Sequence, residues 1–173
     1  KEEYMYPARR VLNHFNANMR EFIDQQRKQG NKYGFVNFIT SNNGFTLADL
    51  FMYNDRHNEA NGEDNLDGNS WNFSNNYGVE GPTRKHYINK LRKLKWRNSM
   101  AMLFLAQGVP LVWSGDEIGN SQQGNNNAYC QDNPVGWVNW KNEKTHRREI
   151  RFLEQLAQFR REHPIVANEM PFQ

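Results

Sequence analysis

The segment Phe35–Phe45, FVNFITSNNGF, is a nearly continuous apolar run that ends in two amides, Asn42 and Asn43, and then Gly44. A run without polar alternation suits a strand covered on both faces. Adjacent Asn and Gly residues suit a turn. In a barrel or an α/β sheet, the working residues sit at the C-terminal ends of the strands and in the loops that follow. Asn42 and Asn43 are therefore candidate site residues, and a plain turn is an equally good reading of the same letters.

Working outward, residues 7–30 begin with Pro7 and stop at Gly30, with Val11, Phe15, Met19 and Phe22 at three- and four-residue steps. That spacing predicts one amphipathic helix. A strand is predicted over 34–42 and a long polar loop over 43–83, with a short helix at Thr46–Tyr53. A basic-then-apolar helix is predicted over 84–107, with Ile88, Leu91, Lys95, Asn98, Met102 and Leu105 along one line. A second strand over 109–117 ends in Asp116 and Glu117. A last amphipathic helix, 146–162, carries Ile150, Leu153, Leu156 and Phe159. Alternating strands and helices imply parallel strands with crossover helices. Two strands cannot complete a barrel or a sheet, so the fold class expected is α/β, a part of a larger architecture.

The composition sets bounds. The chain has 173 residues, 37% hydrophobic and 13% aromatic, enough for a packed core, and a formal charge of +3. So small an excess gives no reason to expect nucleic acid. The single cysteine, Cys130, allows no internal disulfide, which suits a reducing compartment; the cytoplasm is the expectation. No apolar run is long enough to span a membrane. The chain starts Lys-Glu-Glu-Tyr and reads as a piece of something longer.

Several stretches then combine: FVNFITSNNGFTLADLFMYNDRHNEANGEDNLDG, NYGVEGPT, LAQGVPLVWSGDEIGNSQQGNNNAYCQDN and WVNW. Together, and in this order, they resemble the isoamylase and glycogen-debranching branch of glycoside hydrolase family 13, over about Phe35 to Pro164. The resemblance implies a slice of an α-amylase-type (β/α)8 TIM barrel. Its strands 7 and 8 would be 34–42 and 109–117, with 84–107 and 146–162 as helices 7 and 8. It implies that the family's nucleophile and acid, on strands 4 and 5, lie upstream of this chain. After strand 7 the family carries His-Asp, the Asp stabilising the transition state and the His holding the same sugar. Asn42 stands at the His position and Asn43 at the Asp position.

The expected activity follows from that resemblance. The chain would be the C-terminal portion of the catalytic domain of a debranching-type glycosidase acting on α-1,6 bonds of α-glucans, not catalytic by itself. The alternative is a degenerate protein that binds α-glucan without turning it over. Glycogen, starch or maltooligosaccharides are the expected ligands, with contacts from Asp55, His57, Asn58, Asp116, Glu117 and Tyr129. Neither a cofactor nor a metal is expected: in EDNLDG, Glu63 and Ser74 stand where a calcium loop needs its first Asp and closing Glu. Uncovered barrel edges would favour self-association.

Overall fold

The structure, a computed structural model, describes residues 2–28 and 34–167. Helix α1 spans Met5–Asn13 and α2 spans Met19–Gln26. The single helix expected over 7–30 is thus two. His14 and Asn16 take positive φ, 63° and 35°, and Asn18 accepts hydrogen bonds from the backbone N–H groups of Arg20 and Glu21. Asn side chains compete with helical hydrogen bonding and favour caps, and three of them lie in the six residues Asn13–Asn18. The expected stripe divides accordingly: Leu12 and Phe22 are buried, whereas Phe15, Met19 and Ile23 are exposed. The stop at Gly30 lies outside the described residues.

Strand β1 (Val36–Asn37) pairs in parallel with β2 (Val109–Pro110), Val36 opposite Val109. Both are far shorter than the strands expected over 34–42 and 109–117. Each has one partner, and Pro110 has no N–H to extend the ladder. Short α3 (Leu47–Leu50) is capped by the Thr46 hydroxyl, which accepts from Asp49 N. Helix α4 (His86–Leu105) is the crossover between the strands. Its buried face is Ile88, Arg92, Trp96, Met100 and Leu103; Leu91 and Leu105, expected on that line, are exposed. The residue after the helix, Ala106, is extended, and Gly108 turns the chain at φ 91°. A Cβ at Gly108 would stand 2.7 Å from Phe35 O, so only Gly lets the turn pass the first strand so closely.

Helix α5 (Arg147–Glu162) matches its expected span to one residue. It packs on α4 through Phe152, Leu153 and Leu156, which lie against the core. Arg160 donates to the carbonyls of Phe104 and Ala106 at 2.8 and 2.7 Å, and also to that of Gly108. The first two belong to the end of α4 and its cap, where helical carbonyls are left unpaired. The core gathers Tyr4, Leu12, Phe22, Ile39, Phe45, Leu50, Phe51, Trp96, Met100 and Leu103. It places α1 and α3 against α4, and because the two strands are parallel the loops after them leave from the same end of the pair.

Candidate functional site

The segment after β1 is held from three directions. The guanidinium of Arg9, fully buried, donates from Nε to Ile39 O at 2.8 Å. The Asp116 carboxylate accepts from the Thr40 hydroxyl and, at 2.8 Å, from Leu47 N. Gly44 N donates to Asn126 O at 3.0 Å. Between these anchors Asn42 and Asn43 are exposed. The backbone of Asn43 is tied to the Ser41 hydroxyl. Neither side-chain amide of the pair has a protein partner among the described residues. The result is a fixed loop carrying two free amides, each with one acceptor oxygen and two N–H donors.

Asp116 is corrected from ligand contact to anchor. It is 1% exposed, and both carboxylate oxygens serve the loop. Burial pushes its carboxyl up to about 7, against the lowering by Thr40 and Leu47 and by the charge of Arg9. Asp49 behaves alike. Burial raises it to about 6, although it accepts from Ser121 Oγ at 2.5 Å, Gln122 N at 2.8 Å and Gly124 N. A carboxyl raised on folding contributes stability that is fully present below its unfolded pKa, near 4, and lost as pH rises through the folded value. Thermal stability is therefore expected to decline from pH 5 to pH 8. An Asp116→Asn variant should flatten that decline in a melting series across the range; an unchanged slope would mean Asp116 is ionised throughout.

Glu117 is half-buried and accepts from Gly115 N at 2.9 Å, closing its own turn. Asn58, expected to meet ligand, is 0% exposed. Its amide donates to Asn126 Oδ1 at 2.9 Å and accepts from Asn126 N at 2.9 Å. Beside it Asn61 donates to Asp67 Oδ2 at 2.7 Å and accepts from Asn125 Nδ2 at 2.8 Å, and Asn127 Nδ2 also reaches Asp67. An amide can pair with another amide as donor and acceptor at once, so the two Asn-rich loops interlock. Gly68 allows it: at φ 77°, a Cβ there would sit 2.2 Å from Asn126 Oδ1.

Asp55 and Tyr129 are exposed; the Tyr129 hydroxyl donates to Glu63 at 3.2 Å. His57 Nε2 lies 3.2 Å from Glu80 Oε1. Glu80, not foreseen from sequence, also accepts from Asn54 N, Asp55 N and Asn76 Nδ2. Burial raises its carboxyl, but those hydrogen bonds outweigh it and hold it below the ordinary glutamate value. Arg9 and Asp49 were likewise unforeseen. The acid in TLADL, three residues after Thr46, was the only local signal for Asp49. A crevice of about 260 Å³ between α3, α4 and the start of α5, lined by Leu47, Phe51, Trp96 and Glu149, contains none of the expected site residues. Among the described residues, no group of three or more His, Cys, Asp or Glu is arranged to hold a metal, and no helix is long and apolar enough to cross a membrane.

No protein-family model matches the chain. It is 47% identical over 130 residues to the glycogen operon protein GlgX homologue of Mycobacterium bovis, covering 75% of this chain and 18% of that protein. It is 44% identical over 144 residues to the glycogen debranching enzyme of Pectobacterium atrosepticum, covering 83% of this chain and 22% of the relative. Among solved structures, the pullulanase of Anoxybacillus sp. LM18-11 complexed with maltotetraose superposes with a TM-score of 0.62 at 19% identity, over 94% of this chain and 20% of that one. The pullulanase of Bacillus acidopullulyticus gives 0.57 at 17% identity, over 94% and 19%. The chain thus spans about a fifth of the length of the proteins it matches.

Proposed function

Because this chain is a homologue of one segment of the glycogen debranching enzymes, in the isoamylase branch of glycoside hydrolase family 13, we propose that it forms one wall of an α-glucan-binding groove. In this reading the wall is the strand-7 and strand-8 portion of a debranching-type (β/α)8 barrel. Asn42 and Asn43 hold sugar hydroxyls where the family uses His and Asp. The observation that carries it is the pair of exposed, unpartnered amides on a loop clamped by Arg9, Asp116 and Asn126.

An amide can accept from one hydroxyl and donate to another. It cannot place negative charge beside a cationic transition state, where preorganised electrostatics matter most. Retaining hydrolysis also needs a nucleophile and an acid about 5 to 5.5 Å apart. In this reading both lie on strands outside this chain. Binding without turnover is therefore the activity assigned to the chain by itself. Val36 and Val109, both more than half exposed on the strand pair, offer the surface on which further strands, or a second copy, would pack.

Native electrophoresis with and without glycogen in the gel tests the reading. Retardation relieved by free maltooligosaccharide is expected, and should weaken in an Asn42→Ala, Asn43→Ala double variant. Equal mobility in both gels, from a folded chain, would overturn it.

A further inference from the structure

We infer that Trp71 forms a second sugar-binding element beside this rim, a stacking platform for one glucose ring of the same α-glucan. The inference rests on the glucan reading above. Trp71 is 70% exposed, yet one side of it is backed by protein. Its backbone N–H donates to Asn69 Oδ1 at 2.8 Å. One indole face stacks on Phe73, with centroids 6.4 Å apart and planes 27° from parallel.

Phe73 is fixed in turn. Tyr6 and Phe15 meet it edge-on at 5.6 and 6.0 Å, and the Arg10 guanidinium lies 4.6 Å from its ring centroid. Asn69 Nδ2 donates to the Tyr6 hydroxyl at 3.2 Å. Phe73 takes a φ of 49°, a left-handed conformation that side chains other than glycine adopt at a cost and that clusters at ligand-binding sites. Five residues, Tyr6, Arg10, Phe15, Asn69 and Phe73, are thus organised behind one aromatic face that meets solvent.

The free face and the free edge fit a sugar. The indole N–H has no protein partner among the described residues, leaving a donor at the rim of an apolar plate. A pyranose offers the complement, a face of C–H bonds ringed by hydroxyls. Large amphipathic rings of this kind are favoured where one side is apolar and the other wet. Trp137 and Trp140 are also exposed, but among the described residues neither rests on another ring, and Trp137 Nε1 is already spent on Asp132.

The platform adjoins the rim through Arg9. Its NH1 donates to the carbonyl of Asn72, the residue between Trp71 and Phe73, at 3.2 Å, while its Nε holds Ile39 in the loop of Asn42 and Asn43. One guanidinium thus ties together the segments that carry the two elements.

The test is a titration of the folded chain with maltotetraose, followed by the indole N–H resonances of its five tryptophans, with cellotetraose as control. The Trp71 signal is assigned by its absence in Trp71→Phe. Maltotetraose is expected to move it selectively, and Trp71→Ala should bind about tenfold more weakly, the loss typical of truncating a central aromatic contact. Trp71→Phe should keep part of the affinity. Removing an exposed ring should leave the melt nearly unchanged, which separates binding from folding. If the Asn42→Ala, Asn43→Ala variant loses binding while Trp71→Ala does not, the platform is wrong and the rim reading stands. If Trp71→Ala loses binding and the rim variant does not, the platform stands and the rim reading falls. A folded chain whose Trp71 signal ignores maltotetraose, or responds only to chain concentration, overturns the platform.

Discussion

Arg9→Ala is expected to destabilise the chain by about 3 to 5 kcal/mol, a large part of the roughly 5 to 15 kcal/mol available to a domain. Truncation strands the carbonyls of Ile39 and Asn72, which Arg9 satisfies from a fully buried position. Each buried polar group left unsatisfied costs about 1 to 3 kcal/mol, and the space vacated by the side chain adds to that. An opposing effect sets the upper limit. Burial lowers the Arg9 guanidinium to about 10, and its NH2 group finds no acceptor, so the wild-type arrangement already carries a desolvation cost. Arg9→Met, which keeps most of the volume, isolates the hydrogen-bond loss, and Arg9→Lys should not rescue because an ammonium cannot span both carbonyls. Denaturant midpoints measure all three. An Arg9→Ala midpoint equal to that of the parent would remove Arg9 as the clamp.

The second large effect concerns rate. Let this chain replace the matching segment of the glycogen debranching enzyme of Pectobacterium atrosepticum, to which it is 44% identical over 144 residues. The chimaera, if folded, is expected to lose on the order of 100- to 1,000-fold in kcat, the scale of removing one electrostatic stabiliser from a transition state. Asn43→Asp should recover most of that loss, because it alone returns the negative charge. Asn42→His should act mainly on KM, since it restores a ground-state contact to sugar. A chimaera as active as its parent with both amides in place would show that amides suffice there, and the loss of charge at Asn43 would no longer be a reason for inactivity.

The long helices were legible because their signals are local. Helices α4 and α5 depart from their expected spans by no more than two residues, although the line expected along α4 is only partly its buried face, since Leu91 and Leu105 are exposed. The strands were legible in place and direction but not in length, since length depends on neighbours that sequence does not display. The break between α1 and α2 was written in Asn13, Asn16 and Asn18, and the apolar spacing across it masked that signal. Nothing in the pattern separates Arg9, fully buried, from its half-buried neighbour Arg10. In the site, Asn42 and Asn43 were read from sequence at a strand end; they are exposed, five and six residues beyond the last residue of β1. The inward turn of Asp116 and Asn58 was not foreseen, because their partners Thr40, Leu47 and Asn126 are 68 to 76 residues away. Asparagine richness read as loop composition; its role as a self-complementary adhesive appears only once two loops face each other.

That adhesive has a kinetic consequence. The contacts that organise the loops, Asn58 with Asn126, Asp49 with Ser121 and Thr40 with Asp116, join residues 68, 72 and 76 positions apart. Non-local contacts of this kind are made late, after the entropy of closing the intervening chain has been met, and they slow folding toward milliseconds to seconds. The loops therefore stay unjoined until residues 116–126 emerge and dock, although Arg9 can already reach Ile39 and Asn72 within the first half. A ribosome that stalls before that point leaves a nascent chain whose Thr40, Asp49 and Asn58 side chains still lack Asp116, Ser121 and Asn126, open to chaperones and to other chains. Each Asn-rich loop is the other's template.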